Sequence, residues 1–405
     1  KIPGPDGALV PGVKGISLFI VPKKLVDTNG QLTGQRNDVA LAGLNHKLGY
    51  RGIPNTLLNF GEGKFPVAGE GGAAGPGAGL DGQGAGAVGY LVGRPGEGLR
   101  CMFHMMNEAR IAVGLGAVMI GYAGYEASLD YARTRPQGRP IGPAGKDAAR
   151  PQVRIIEHAD VKRMLLAQKS YVQGGLALAL YCARLVDEQH TGEPDAAAEA
   201  ALLLEMLTPI AKSWPSEWCL EANSLAIQVH GGYGYTRDFP VEQYWRDQRL
   251  NMIHEGTHGI QALDLLGRKV IMQDGAGLQL LARRMMATVG ETLPLPGLAA
   301  HADALADAVR QVGEATRAAW STGQPGEALS NAVPYLQAFG HVVLAWVWLD
   351  VAGHLARSGR DDDLARGLRA AADFFFHYEL PKIGAWLGPV ARREPTCAAM
   401  QDAWF

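Results

Sequence analysis

Cysteine is scarce in this 405-residue chain. Its four residues, Cys101, Cys182, Cys219 and Cys397, lie far apart with no C-x-x-C pair. That spacing argues against a disulfide framework or a zinc ribbon, and leaves buried thiols in a reducing compartment as the simplest reading, with a cytoplasmic location expected. An excess of either charge is also missing. Thirty-eight Lys and Arg face 40 Asp and Glu, giving a net charge of −2 and a pI near 6.6. Such balance disfavours nucleic acid or an anionic membrane surface as the main partner. No uninterrupted apolar run of about 20 residues is present to span a bilayer. The nearest, "HVVLAWVWLDVAGHL" (341–355), is short, carries Asp350 and reads as a core helix. No signal peptide is visible. A leading methionine is absent too. The chain opens "KIPGPDGALVPGVKGISLFIVPKK", already in strand-and-turn residues, and is expected to belong to something longer.

What is present is an ordinary globular balance, 47% hydrophobic and 19% charged, in a chain long enough for two or three domains. Residues 1 to about 68 predict β-structure, with apolar runs such as "GISLFIVP" and "NTLLNFGEG" bounded by Gly, Pro and Asn. Residues 68–86 form a Gly/Ala-rich loop. From about 97, apolar residues recur at three- and four-residue spacings, predicting a long helix that ends at the Pro/Gly loop 135–152. Helices follow at roughly 153–191, 195–230 and 241–252, and another from Thr257. "HGGYGYTRDFP" (230–240) breaks the third from the fourth. Beyond 272 the chain is helical, interrupted at "LPLPG" (293–297) and "STGQPG" (321–326), and no internal repeat is visible. The expectation is a mainly α protein with a partial β-domain at its start, divided as 1–96, 97–271 and 272–405.

"MIHEGTHGIQ" (252–261) carries two incompatible chemistries. His254-Glu255-Gly256-Thr257-His258 fits H-E-x-x-H, which would bind zinc only on one continuous helix and with a third ligand. Gly256 and Thr257 are poor helix-interior residues, Gln261 and Asp264 stand where the longer zinc motif needs Gly and His, and no Glu occurs between Glu255 and Glu291. No metal is therefore expected. The second chemistry is a general base. Thr257 can cap a helix whose buried stripe is Ile260, Leu263, Leu266 and Val270, and whose start could seat a phosphate. Glu255 then follows the apolar Met252 and Ile253, where exclusion from water would raise its affinity for a proton. In "QVHGGYGY" the paired Gly231 and Gly232 let backbone approach a flat or charged ligand, although the pattern is no dinucleotide fingerprint. Arg135 and Arg139 could pair with phosphates.

Taken together, "QVHGGYGYTRDFPVEQYWRDQRLNMIHEGTHGIQALDLLGRKV" (228–270) resembles the C-terminal signature of the acyl-CoA dehydrogenases. In that family a Q-x-x-GG-x-G turn leads into a P-V-E…R-D helix and an E-G-T turn. "MNEARIAVGLGAVMIGYAGYEASLDYARTR" (106–135) is similar to its first C-terminal-domain helix, and "GVKGISLFIVPK" with "HKLGYRGIPNTLLNF" to the last strands of its middle β-domain. The likeness covers roughly residues 10–270. The helical tail resembles the extended branch that contains the 3-methylmercaptopropionyl-CoA dehydrogenases. The resemblance implies a C-terminal four-helix bundle plus a helical extension, assembled as dimers or dimers of dimers, with the helical N-terminal domain and early β-domain of the family outside this chain.

It also implies a site. Glu255 matches the catalytic base, which would remove the α-proton of an acyl-CoA thioester while the β-hydrogen passes as hydride to the flavin of FAD. The Glu255 amide and a flavin hydroxyl would polarise the thioester carbonyl. Gly256, Asn107 and Arg110 match substrate-binding positions. Thr257, His258 and Gly259 match flavin contacts. Gln228, Gly231 and Gly232 match the turn that holds the adenosine diphosphate part of FAD from the neighbouring subunit. Arg135 matches an arginine reaching the FAD pyrophosphate, although Arg135-Pro136-Gln137-Gly138 is shorter than the family's R-x-x-F-G, and His158 would follow as a further contact. His254 replaces the tyrosine common before the base. An electron-transfer flavoprotein would be the acceptor, with neither nucleic acid nor membrane as partner, and 3-methylmercaptopropionyl-CoA is one substrate the tail architecture points to. An acyl-CoA oxidase, or a DNA-associated flavoprotein relative, are the alternatives. The latter wants a basic tail surface, which "RDDDLARG" does not provide.

Overall fold

A computed structural model describes residues 1–67, 86–143 and 145–405. The Gly/Ala-rich loop expected at 68–86 lies, apart from its last residue, outside the described residues. Two compact units divide the chain, Lys1–Met106 and Asn107–Phe405.

The first unit carries short antiparallel pairs. Strand β1 (Leu18–Ile20) joins β6 (Tyr90–Val92), β2 (Lys24–Val26) joins β3 (Leu32–Arg36), and β4 (Val39–Leu44) joins β5 (Thr56–Phe60) with a register shift between Leu41 and Gly43. Two buried side chains tie these pieces together. Asn37 donates through Nδ2 to the carbonyls of Pro22 and Val88, both at 2.8 Å, and accepts from the Val88 amide at 2.9 Å. The Asp38 carboxylate accepts from the amides of Gly63 and Phe65 at 2.6 and 2.9 Å. Buried amide and carboxylate groups are tolerated here because each is saturated by backbone partners.

The second unit is helical. The boundary falls within α1 (Gly98–Thr134), which is followed by α2 (Ala159–Thr191) and α3 (Pro194–His230). A 3₁₀ turn at Gly231–Tyr235 leads to α4 (Val241–Gln248), a second 3₁₀ turn at Arg249–Met252, and α5 (His258–Asp264). The tail supplies α6 (Ala276–Thr292), α7 (Ala299–Ala319), α8 (Pro325–Leu329), α9 (Ala332–Ser358), α10 (Asp363–Phe374) and α11 (Ile383–Arg392). The breaks expected at 135–152 and 293–297 fall between these helices, and the one expected at 321–326 falls between α7 and α8 except for Pro325 and Gly326, which open α8.

Helices α1 and α3 approach to backbone distance. On α1, Gly114, Gly121 and Gly124 recur on one face. A Cβ added at Gly114 would overlap the Ala211 carbonyl, at Gly121 it would meet Cys219 Cβ at 2.7 Å, and at Gly124 it would overlap the Asn223 amide oxygen. Ala211 is the residue whose carbonyl Pro215, inside α3, leaves without its helical donor. The small α1 face therefore closes over an exposed carbonyl that a larger side chain would push away.

The tail packs on this scaffold through α9, which touches α2, α3 and α5 as well as its own neighbours α6, α7, α10 and α11. Several polar edges of the aromatic groups at this contact are paired. Trp214 Nε1 donates to His341 Nδ1 at 3.1 Å, Trp348 Nε1 to the Ser170 carbonyl at 3.2 Å, and Tyr335 shares a 2.6 Å hydrogen bond with Thr316. Two sequence expectations need correction. Helices α1 and α9 are each long and apolar enough, by length and composition, to cross a membrane, because a helix averages over its few charged residues. In α9, 83% of the most apolar window is buried against other helices, as for a core helix, whereas in α1 the share is 44%. The cysteines are also not uniformly buried: Cys182 and Cys219 are, Cys101 is half-buried and Cys397 is exposed on the tail.

Gly114→Ala is expected to destabilise the protein by about 1–3 kcal/mol, the range for overpacking a tight contact, and to lower Tm by several degrees. A variant melting with the parent would show that α1 and α3 are not this close.

Candidate active site

The segment after α4 does not continue as a helix. Glu255 and Gly256 both take positive φ, 53° and 89°, so H-E-x-x-H is split by a turn, and His254 and His258 do not share a helix face. A glutamate disfavours this conformation, whereas a glycine accepts it freely. The turn is held from behind by α3. Lys212, fully buried, donates through Nζ to the carbonyls of Asn251 at 2.7 Å and Gly256 at 2.8 Å. Gln261, also buried, donates through Nε2 to the Glu255 carbonyl at 3.2 Å and to Gly256 at 3.5 Å. The backbone around residue 255 is thus gripped from two sides, and the Glu255 side chain is left exposed. Ile253 is exposed as well, so the chain does not supply the apolar shelter expected for this carboxylate.

Thr257 caps α5 as expected, its Oγ1 accepting from the Ile260 amide at 3.4 Å. The stripe below it differs from the expectation. Leu266 and Val270 are buried, whereas Ile260 and Leu263 are exposed, and Gln261, Ala262 and Leu265 are buried in their place. The buried face runs through Gln261/Ala262, Leu265/Leu266 and Lys269/Val270 at four-residue spacing, and its second half is a π-helical turn at Leu265–Lys269. His258, Gly259 and Gly256 are half-buried. His258 Nε2 lies 3.1 Å from Glu217 Oε2 on α3.

Charged groups crowd behind the turn. Arg110 on α1 is buried and pairs with Asp264 of α5 at 3.2 Å. Asn107 donates to Glu205 of α3 at 3.4 Å, and Glu205 also forms an ion pair with the buried Lys269. Burial, followed by the Arg110 charge, pushes the Lys212 ammonium down to about 8, against the opposing pull of Glu255. His254 is lowered by burial and by Lys212, again opposed by Glu255. Arg110, Lys212, His254 and Glu255 therefore belong to one electrostatic group.

The other expected residues gather elsewhere. A cleft of about 650 Å³ is lined by Gln228 and Gly231 from the end of α3, His158 from the start of α2, and Arg139, Tyr131 and Gln137. His158 Nε2 is 2.7 Å from the Gln137 carbonyl. Gly231 has φ 60°, and a Cβ added at Gly231 or Gly232 would meet nothing within 4 Å, so the backbone there is open to close approach. The Arg135 guanidinium lies 5.8 Å from the Tyr233 ring centre, and its buried Nε has no protein acceptor. Tyr131 stacks on His230, and Phe239 meets both rings edge-on. Sequence reading missed Lys212, Asn251 and Gln261. Only the lone lysine within the apolar "LTPIAKSWPSEW" hinted at a buried charge.

Comparison with known proteins gives two family matches. Residues 96–271 match the family "Acyl-CoA dehydrogenase, C-terminal domain", and residues 281–401 match "Acetyl-CoA dehydrogenase C-terminal like". A 3-methylmercaptopropionyl-CoA dehydrogenase of Ruegeria pomeroyi is 36% identical over 92% of this chain and 60% of its own length. A broad-specificity linear acyl-CoA dehydrogenase of Mycobacterium tuberculosis is 34% identical over 68% of this chain and 42% of its own. A butyryl-CoA dehydrogenase of Syntrophomonas wolfei is 32% identical over 92% and 59%. The chain thus spans 42–60% of the length of these relatives. Among solved structures, Caenorhabditis elegans ACDH-11 in complex with C11-CoA superposes with a TM-score of 0.71 at 20% identity, covering 93% of this chain and 55% of that one. An acyl-CoA dehydrogenase complexed with FAD from Bacillus anthracis gives 0.66 at 16% identity, covering 90% and 58%. These two share the fold.

The Glu217–His258 contact gives a pH test. Burial alone would raise the Glu217 carboxyl, but hydrogen bonds and charge from His258, Gln337 and His341 outweigh it, and the net direction is down. A carboxyl whose proton affinity is lower folded than unfolded adds stability above its unfolded pKa and loses it as pH falls through the folded value. Glu217→Gln is therefore expected to be less stable than the parent to urea at pH 7, with the gap closing below about pH 4, the ordinary glutamate range. A gap independent of pH would contradict the shift.

Proposed function

The chain belongs to the acyl-CoA dehydrogenase family, and from this we propose that it catalyses α,β-dehydrogenation of an acyl-CoA thioester to the trans-2-enoyl thioester, with Glu255 as general base. The observation that carries this reading is the gripped turn. Lys212 and Gln261 hold the backbone on both sides of residue 255, so an exposed carboxylate is presented on a fixed support. A base so held can be brought to one carbon of a bound substrate without reordering at each turnover.

The residues fit FAD as cofactor. The open Gly231-Gly232 backbone, the acceptor-less Arg135 Nε and the 650 Å³ cleft beside Gln228 suit a nucleotide diphosphate. Thr257, His258 and Gly259 would hold the part near the base. Bound FAD supplies the electron sink that a carboxylate alone lacks. This chain's residues supply the rest. Glu255 accepts the α-proton on its carboxylate, its amide can donate to the thioester carbonyl as negative charge grows there, and Asn107, Arg110 and Gly256 border the acyl-CoA. The 3-methylmercaptopropionyl thioester is the first substrate to try, supported by the Ruegeria pomeroyi relative that bears that name. An electron-transfer flavoprotein as acceptor, a homodimer or dimer of dimers, a cytoplasmic location, and a division between flavin domain and extension near residue 271 complete the proposal.

Glu255→Gln is expected to keep its flavin and lose about 10²–10⁴-fold in the rate of anaerobic flavin bleaching by acyl-CoA, the range for removal of a general base. Equal bleaching in parent and variant would place the base elsewhere, and rapid oxygen consumption by the reduced parent would favour an oxidase. Gly231→Val, which sets a β-branched residue at φ 60°, is expected to lower flavin content on purification. Full flavin occupancy in that variant would remove this turn from the cofactor site.

A further inference from the structure

Lys212 sits where stability alone would not put a charge. It is fully buried in the middle of α3, between Pro209 and Pro215, and its hydrogen bonds to Asn251 and Gly256 both go to neutral carbonyls. Removing an ammonium from water costs several kcal/mol, and carbonyls repay it less well than a carboxylate would. Arg110 on the facing helix makes the position worse. Methionine would fill the same space without the desolvation. The two acceptors explain the lysine better than packing does. Asn251 and Gly256 lie on either side of the base, so one ammonium spans the segment 251–256. Glu255, inside that span, holds φ 53°, a conformation that persists in a non-glycine residue only when its surroundings enforce it.

We propose that Lys212 is the positioning residue for Glu255: its ammonium ties the carbonyls on both sides of the base into one rigid turn. The inference rests on Glu255 being the base, as read above. The charges facing Lys212 are Arg110 from α1, and His254 and Glu255 from the turn. The support is geometric and depends on a hydrogen-bond donor at this position.

Three variants of the holoenzyme and one spectroscopic titration test this. In Lys212→Met kcat should fall by roughly 10²-fold, the loss expected when a catalytic group is misplaced, with KM for the acyl-CoA little changed. Lys212→Arg, which keeps donors at this position, should recover most of kcat. A residue that only fills space would lower Tm without separating kcat from KM. Independently of turnover, ¹³Cε-lysine NMR should show Lys212 titrating at lower pH in Glu255→Gln than in the parent, because coupling between two sites is reciprocal. Should Lys212→Met fail to fold, Lys212→Arg assigns the resonance and the titration decides alone. An unchanged kcat in folded Lys212→Met, or an unchanged Lys212 titration in Glu255→Gln, overturns the inference. Full activity in Glu255→Gln overturns the choice of base instead, and so separates the two failures.

Discussion

The close approach of α1 to α3 is the constraint on which the candidate site depends. Three glycines on α1 let its backbone lie against Ala211, Cys219 and Asn223. Arg110 lies one turn before Gly114, and Lys212 directly follows Ala211, so the contact that excludes side chains at Gly114 also forces two cations together in the interior. A protein rarely accepts such a pairing without compensation. Here Asp264 takes Arg110, Glu205 takes Lys269, and backbone carbonyls take Lys212. The result is a buried charged layer beneath a surface turn.

The tail makes that layer affordable. Its central helix α9 is apolar nearly throughout and meets α2, α3 and α5, with Trp214 bonded to His341 and Trp348 to the Ser170 carbonyl. His341 shows how close the compensation runs. It accepts from Trp214, stacks on Phe375 and lies 3.6 Å from the buried Glu379. Burial lowers its proton affinity despite the Glu379 carboxylate, which suits an acceptor for the indole N–H. Glu379 in turn is held by Lys382 at 2.6 Å. Removal of the tail would expose the faces of α2 and α3 on which the layer rests.

Much of the architecture was legible in the sequence. Helix ends were marked by Pro and Gly, the Thr257 cap by its position before an apolar run, and the open turn at residue 231 by paired glycines. These signals are local, and local signals survive folding. The failures were of another kind. The buried stripe of α5 was misplaced because Ile260 and Leu263 are apolar yet exposed, while the polar Gln261 is buried where it reaches the Glu255 carbonyl. Apolar shelter for Glu255 was inferred from Met252 and Ile253, yet shelter depends on what packs against a segment rather than on its neighbours in the chain. Lys212 was invisible as a site residue because its partners, Asn251 and Gly256, are some forty residues away and are addressed through their backbone. A motif records side chains. A carbonyl acceptor leaves no mark in it.

The π-helical turn at Leu265–Lys269 carries one residue more than an α-helical turn would need. Each residue of an α-helix advances the face by about 100°, so everything beyond the turn is rotated by that amount relative to a regular continuation of α5. Lys269 reaches Glu205 from the rotated frame. Insertion and deletion in this stretch are consequently unequal events. Loss of a single residue would restore a regular helix, relax the local backbone, and at once swing Lys269 out of register with α3. A lineage could thus gain or lose this buried ion pair in one step, without changing the identity of either partner, so that an alignment gap here would carry more chemical meaning than a substitution.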